Sequence, residues 1–166
     1  MTHEITWRGY LGRGTLAVCG LIAVCWLLNS ASRIDTLQMT EAASDAQARC
    51  YRLIHDDTFA FQDCVQRMLA DQHDPTPRRL GVEYFGFVGA LNSARMGMRG
   101  AEGSARTFLQ RVRATQHALG VDDAALCSVI AGDCAARTAR MKLMEATPQP
   151  GSVDFADTGE REVHGH

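Results

Sequence analysis

Four cysteines are the residues of this chain whose type and number most directly predict chemistry. Cys50, Cys64, Cys127 and Cys134 all follow an apolar run near the N-terminus. An even number of thiols outside the cytoplasm favours complete pairing, because disulfides form and persist in an oxidising compartment. We therefore predict two structural disulfides, since no C-x-x-C motif indicates a redox, haem or zinc site.

The spacing of these cysteines limits how the helices that carry them can run. Cys50 and Cys64 are 14 residues apart, about 21 Å along a straight helix, and Cys127 and Cys134 are 7 apart, about 10 Å. A disulfide needs Cα atoms within about 7 Å, so at least one helix must break. Local pairing (Cys50 with Cys64, Cys127 with Cys134) and antiparallel clamping (Cys50 with Cys134, Cys64 with Cys127) both satisfy this limit. We favour the clamp, because closing long loops constrains the unfolded chain more strongly.

The histidines predict no catalytic group. His55 lies beside Asp56 and Asp57, and a carboxylate next to an imidazole can orient it and raise its basicity. Sequence neighbours on a helix point in different directions, however, so a solvated or capping role is favoured. His73 and His117 stand alone in the sequence. No phosphate loop, G-x-S-x-G or H-E-x-x-H motif occurs, and we predict neither catalysis nor a bound cofactor.

Methionine and histidine pairs are the candidates for a soft-metal site. Met96 and Met98 flank a glycine, Met141 and Met144 lie three residues apart, and histidines occupy positions 164 and 166. Thioether ligands suit Cu(I), and imidazole suits copper and nickel. Methionines on apolar faces are mostly core residues, so we assign no metal ligand among them.

The composition favours one helical domain with accessory segments. The chain has 166 residues and a formal net charge of −2, which is too small to indicate nucleic acid or another strongly charged partner. Sixteen arginines stand against a single lysine, Lys142, and alanine is abundant, a bias that we attribute to a bacterial genome rich in GC. Few aromatic residues and little alternation of β-branched residues favour helices over strands.

An uncharged apolar run at residues 15–28 predicts that the N-terminal region enters a membrane. The run is short for a spanning helix, which needs about 20 apolar residues, and fits the roughly 7 to 15 of a secretion signal. Cleavage after Ala31 would place the bulky Asn29 where a small residue is required. We therefore favour an uncleaved signal-anchor helix over residues 15–32, and a cleaved signal is the alternative.

Arginine positions predict the orientation of this anchor. Arg8 and Arg13 precede the apolar run, whereas Arg33 beside Asp35 follows it. Positive residues are enriched on the cytoplasmic side of membrane helices. We expect residues 1–14 to form a cytoplasmic arm and the C-terminal domain to lie in the periplasm, in a single-pass protein of a bacterial inner membrane.

Residues 36–146 are predicted to form a small helical domain outside the cytoplasm. Their apolar positions step mostly by three and four residues, which is the pattern of amphipathic helices. Prolines, glycines and aspartates divide the region, because they end or cap helices. The expected breaks fall at 55–58, 74–77, 100–103, 120 and 132–133.

Residues 78–98 are apolar on nearly every side and predict the central helix of the bundle. Gly89, Ser93 and Gly97 recur at spacings of four and would let another helix approach closely. A second membrane span is the competing interpretation, but the uncharged stretch is too short for one. Residues 147–166 contain prolines and an acidic run, so we expect a disordered acidic tail.

The sequence thus predicts an all-α fold: an N-terminal transmembrane signal-anchor helix followed by a small disulfide-linked bundle of about four to five helices. We expect a membrane-anchored accessory or assembly subunit of a cell-envelope complex, which acts by protein–protein interaction. The alternative is a secreted periplasmic helical binding module that handles metal through methionine and histidine. The expected partners are the membrane and a larger envelope complex, without nucleic acid.

Overall fold

The computed structural model describes the backbone of residues 7–130 and 132–147, and the side chains from Val18 onward in these ranges. Within these ranges the chain forms seven α-helices and no strand. They are α1 Trp7–Cys50, α2 Leu53–Asp56, α3 Thr58–Leu69, α4 Pro77–Arg95, α5 Ala101–Leu119, α6 Asp123–Cys127 and α7 Cys134–Ala146. The predicted all-α, disulfide-linked bundle is confirmed. Residues 148–166 of the predicted tail and the first six residues of the predicted arm lie outside the described residues.

The first helix, α1, is continuous over 44 residues and joins the predicted anchor to the bundle. No proline or glycine occurs between residues 21 and 50, so nothing in the sequence breaks the helix there. In its polar stretch, hydroxyl groups donate to carbonyls one turn earlier without breaking the helix, as from Ser30 to Trp26 at 2.8 Å and from Thr36 to Ser32 at 2.9 Å. The bundle begins at Met39, the first buried residue of α1.

One described helix is long and apolar enough to cross a membrane: the Val18–Cys50 part of α1. The residues in its most apolar window are not buried against the rest of the protein. This agrees with the predicted apolar N-terminal helix, and a signal sequence would have the same properties.

The fourth helix, α4, is the central helix, as predicted, and is buried on nearly all sides. It runs parallel to α1, because Gly81 lies against Met39 of that helix and Ser93 donates to the carbonyl of Ile54 just beyond it, at 2.9 Å. The helices α3 and α5 run antiparallel to α4. Phe61 of α3 lies against Gly89, and Phe108 of α5 lies against Gly86.

Caps define the helix boundaries and confirm most of the predicted breaks. Asp57, Thr76, Asp122 and Asp133 each accept a hydrogen bond from a backbone N–H in the first turn of the following helix. Gly120 ends α5 at a φ of 66°, a left-handed conformation that favours glycine. The break predicted at 100–103 is displaced, because α5 already begins at residue 101.

Both disulfides are present, but the predicted clamp is wrong and the pairing is local. Cys50 bonds Cys64 with Cα atoms 5.9 Å apart, and Cys127 bonds Cys134 with Cα atoms 4.9 Å apart. The chain turns back through the short helix α2, which brings α3 alongside the end of α1. The last helix is tied to α5, since Arg106 of α5 donates to the carbonyls of two residues at the end of α7. The entropy of loop closure alone would favour the clamp. The arrangement of the helices instead brings each cysteine next to its local partner.

Peptide mapping without reductant tests the local pairing. Trypsin should release residues 50–52 linked to residues 53–67, because Arg49, Arg52 and Arg67 flank these segments. Residues 114–137 should appear as one peptide two hydrogens lighter than its reduced form, because both of its cysteines bond each other. The clamp would instead join all three peptides into one species.

Glycine-to-alanine variants test the close approach of α4 to α1. A Cβ on Gly81 would overlap the carbonyl oxygen of Met39, so one helix backbone must move. We expect Gly81→Ala to lower the free energy of unfolding by about 1–3 kcal/mol, the usual cost of overpacking. In the control, Gly103→Ala of α5, the added Cβ has no neighbour within 4 Å. It should raise stability by up to about 1 kcal/mol, since alanine favours helix over glycine. Equal effects in chemical denaturation would contradict the packing.

Candidate interaction surface

A group of exposed side chains lies at one end of the bundle. This is the end near Cys50, which is the farther end of α1 from the apolar run. Cys50 ends α1 there, α2 and the start of α3 follow, and the turn between α4 and α5 lies beside them. Cys50 is 22 residues beyond Leu28, the last residue of the apolar run, so it lies about 33 Å along the helix axis from it. We call the group formed by Tyr51, His55, Phe59 and Met96 the distal patch.

Contacts join Tyr51, His55 and Met96 of the distal patch, and Phe59 lies beside the turn that follows Met96. The rings of Tyr51 and His55 meet edge to face with centroids 5.6 Å apart, and His55 Nδ1 lies 3.3 Å from Met96 Sδ. Phe59 lies over the turn that begins at Met96, near Gly100. Phe59, Tyr51 and Met96 are 68%, 50% and 47% exposed.

Local structure holds the patch residues in place although their side chains are exposed. Asp57 accepts a hydrogen bond from the backbone N–H of Phe59 at 2.8 Å, which begins α3 and orients the first turn. The Cys50–Cys64 disulfide ties the second turn of α3 to the end of α1. Gly100 adopts a φ of 74°, which lets the turn after α4 pass beneath the Phe59 ring.

The composition of the distal patch is typical of a protein-binding surface. Aromatic residues and methionine are enriched in the cores of interfaces, and arginine is enriched with them. Arg52, Arg95 and Arg99 are exposed and close to the patch residues in sequence. Asp56 and Asp57 are exposed and equally close in sequence, so the patch combines apolar side chains with nearby charged groups of both signs.

Metal ligands are few at this surface. His55 Nδ1 and Met96 Sδ are the one histidine–methionine pair in hydrogen-bonding distance among the described residues, and both atoms suit a soft metal. The described residues contain no group of three histidine, cysteine or acidic side chains that could hold a metal ion. Met141 and Met144 lie in the core, as favoured from sequence. The histidines at 164 and 166 lie outside the described residues.

A buried carboxylate joins α4 to α5, and sequence reasoning missed it. Glu83 is fully buried, and its two oxygens accept from Arg79 Nε at 2.8 Å and from Thr115 Oγ1 at 2.7 Å. Arg79 also donates to the backbone carbonyls of Gln72 and His73 in the turn before α4. The Arg-x-x-x-Glu spacing on α4 was the available signal, because residues four apart meet on a helix. The pair has its polar atoms occupied, so its role is structural.

A second polar cluster centres on Arg113 of α5 and fastens α6 and α7. Its guanidinium donates to Asp123 and to Glu145 Oε1, the latter at 2.5 Å, and to Gln116 Oε1 at 2.8 Å. Burial alone would lower the pKa of Arg113, but the hydrogen bonds to Glu145 and Asp123 raise it. Burial alone would raise the pKa of Asp123, but hydrogen bonds from Gln116 and Arg113 hold it below its ordinary value.

A cavity of about 500 Å³ lies beside this cluster, between α5 and the end of α7. Arg106 and Arg113 line it together with Met144 and Glu145. Arg106 already donates to the carbonyls of Met144 and Thr147 at 2.8 Å, and Arg113 is held by carboxylates. Its cationic groups are therefore engaged within the protein, which makes the cavity a weaker candidate site than the distal patch.

The sequence predicted the helix break and the cap near His55, but it did not predict that the four residues of the distal patch lie together. The capping role favoured for the residues around His55 is confirmed at Asp57. His55 itself was weighed only with its acidic neighbours, whereas its contact is Met96, 41 residues later. The exposure of Phe59 had a signal in the sequence pattern, because Phe59 is two residues before Phe61 and so lies on the side of the helix opposite the apolar stripe that contains Phe61 and Val65.

Comparison of the chain with protein-family models, curated proteins and solved structures finds no match in any of the three.

The pH dependence of stability tests the Arg113 cluster. The pKa of Asp123 is lower in the folded than in the unfolded protein, so its carboxylate stabilises the fold above the ordinary aspartate range near pH 4. That contribution is lost as the pH falls through the lowered pKa. Asp123→Asn should melt at lower temperature than wild type near pH 7, and the difference should shrink on acidification.

The matched control is Asp63→Asn, which removes an exposed ion pair with Arg67. Exposed ion pairs contribute little to stability, so this variant should follow the wild-type melting profile. An Asp123→Asn profile parallel to wild type down to about pH 2 would contradict the linkage.

Proposed function

We propose that this protein is a membrane-anchored accessory or assembly subunit of a cell-envelope complex and acts by protein–protein contact through the distal patch. The single observation that carries the proposal is the continuity of α1 from the apolar N-terminal segment to Cys50. The helix contains no proline or glycine between residues 21 and 50, so we expect it to be stiff and free of sharp kinks. It would hold the distal patch at a set height of about 33 Å beyond the apolar run.

The proposed location is a bacterial inner membrane, with the N-terminus in the cytoplasm and the bundle in the periplasm. The arginines at positions 8 and 13 support this orientation by the positive-inside rule. Two disulfides support an oxidising compartment for the bundle, since they rarely persist in the cytoplasm. Both disulfides lie on the same side of the apolar run, as this topology requires.

The distal patch indicates what kind of surface the partner presents. Phe59 is the most exposed side chain of the distal patch and would fill an apolar pocket on the partner. The arginines at 52, 95 and 99 would face acidic residues around that pocket. Asp56 and Asp57 are exposed beside the patch as well, so the proposed partner is a protein that presents an apolar pocket surrounded by charged groups.

The second candidate is a secreted helical binding module that handles a soft metal. The distance of 3.3 Å between His55 Nδ1 and Met96 Sδ favours it. A metal bonded to the nitrogen at about 2.0 Å and to the sulfur at about 2.3 Å would have an N–metal–S angle of roughly 100°. That angle is close to tetrahedral. This function requires cleavage near Ala31 and release of the bundle from the membrane.

Affinity purification of the tagged full chain from gently solubilised native membranes tests the proposal. We expect specific proteins to co-purify with wild type and to be lost with Phe59→Asp. Truncation of a central interface residue costs 2 kcal/mol or more, which corresponds to roughly 30-fold in dissociation constant. Leu143→Asp is the matched control, since Leu143 is exposed on α7 and does not belong to the distal patch.

Fractionation and intact mass separate the two candidates. The anchored subunit should stay in the membrane pellet and retain residues 1–32. A soluble chain that begins near Ser32 would contradict the proposal and support the secreted module. Equal recovery of partners by the Phe59→Asp and Leu143→Asp variants would remove the distal patch from the proposal.

A further inference from the structure

Met96 is the one exposed methionine among the residues whose side chains the structure describes. Methionines on apolar faces usually fill the core, and Met39, Met141 and Met144 do so here. Met96 is instead 47% exposed, and its sulfur lies 3.3 Å from Nδ1 of His55. Core packing therefore does not account for the position of this thioether.

A buried hydrogen bond fixes the two backbone segments that carry Met96 and His55. Ser93 Oγ of α4 donates to the carbonyl of Ile54 at 2.9 Å, and both residues are buried. His55 is the next residue after Ile54, and Met96 is three residues after Ser93. The core of the bundle thus brings the nitrogen and the sulfur together, although both side chains are exposed.

Local contacts also limit the movement of each side chain. The Tyr51 ring packs edge to face against the His55 ring, with centroids 5.6 Å apart. The backbone N–H of Met96 donates to the carbonyl of Asn92 at 3.1 Å, so Met96 is held by the last turn of α4. A pair of ligands held in this way loses little conformational freedom when it binds an ion.

The donor atoms of this pair suit a soft cation. A thioether and an imidazole are ligands for Cu(I), whereas Zn(II) sites are built from three or four thiolate, imidazole or carboxylate ligands. The part of the chain that the structure describes contains no group of three such side chains. The four cysteines of the bundle are paired in disulfides, so none of them offers a competing thiolate.

The geometry points to a metal site: we propose that His55 Nδ1 and Met96 Sδ bind one Cu(I) ion on the distal patch. The proposal rests on the second candidate function for the use of the ion, but the site is the same in an anchored and in a released chain. One tautomer of His55 donates its Nδ1 hydrogen to the sulfur. The other carries its proton on Nε2 and leaves the Nδ1 lone pair for the ion.

Two protein ligands leave one side of the ion open. An N–metal–S angle of roughly 100° places both donor atoms on the same side of the ion, so a third donor would come from outside the chain. Arg95 precedes Met96 and Asp56 follows His55, so exposed groups of both signs lie close to the site in sequence. A monovalent ion adds less charge to these surroundings than Zn(II) would.

Protection of the Met96 sulfur from oxidation tests the site in the purified full-length chain. Ag(I) is the probe, because it has the charge and the closed shell of Cu(I) and does not undergo the redox cycling of copper with hydrogen peroxide. The chain carries Cys19→Ala and Cys25→Ala, because these free thiols would bind Ag(I) themselves. After brief treatment with peroxide, the protein is digested and sulfoxide formation is measured by mass spectrometry.

Trypsin releases residues 96–99 as one peptide, which contains Met98 as an internal control. We expect Ag(I) to slow the oxidation of Met96 several-fold, because a thioether bonded to a cation is a poorer nucleophile toward peroxide. Met98, which is half-buried, should be oxidised at the same rate with and without the ion. His55→Gln should abolish the protection, and His117→Gln, the matched control at an exposed position of α5, should retain it.

Competition with a chromophoric Cu(I) chelator under anaerobic conditions tests the identity of the ion. The chain should withdraw Cu(I) from the chelator. Met96→Leu, which keeps an apolar side chain of similar size, should lower the affinity at least about tenfold, since the loss even of a group that only supports a ligand costs that much. Zn(II) should not slow the oxidation of Met96.

Equal oxidation of Met96 with and without Ag(I) would overturn the proposal. Protection that persists in His55→Gln, that extends equally to Met98, or that Zn(II) also provides would overturn it as well. His55 and Met96 are both exposed, so their replacement leaves the core intact. These measurements do not depend on whether the chain sediments with membranes or recovers a partner, so failure of the metal site and failure of the membrane subunit are separate results.

Discussion

The architecture depends on the close approach of α4 to three neighbouring helices at once. Gly81 lies against the backbone of α1, and Gly89 lies against Phe61. A Cβ placed on Gly86 would be only 2.7 Å from the Phe108 ring. A helix surrounded on three sides leaves little room for side chains at the points of contact, which is why glycine occupies them. The same closeness encloses Glu83, whose charge is tolerated because Arg79 and Thr115 satisfy both of its oxygens.

The continuity of α1 connects this bundle to the apolar N-terminal segment. One face of the helix contributes Met39, Ala46 and Cys50 to the core, and the opposite face carries Ile34 and Leu37. Because the helix has no break, the distal patch holds a defined position relative to the apolar N-terminal segment.

Much of the local structure could be predicted, and the exceptions have physical causes. The caps at Asp57 and Asp133 depend on short-range hydrogen bonds, and the helix end at Gly120 depends on the φ preference of glycine. Both can therefore be predicted from a single sequence. The cysteine pairing was predicted wrongly. Loop entropy depends on chain length alone, whereas the bond formed depends on which helices are neighbours. The candidate site was missed for the same reason, since His55 and Met96 meet only after the chain has turned back twice.

The sequence by itself determined the helical class, the positions of most breaks, the central helix and the apolar N-terminal segment. Each of these depends on residue type and spacing within a few turns of helix, where propensity, capping and periodicity act. Only the tertiary structure decided the local disulfide pairing, the burial of Glu83 and the contact between His55 and Met96. These features are set by contacts between residues far apart in the chain, and the direction in which an apolar side chain points is settled by the helix that packs beside it.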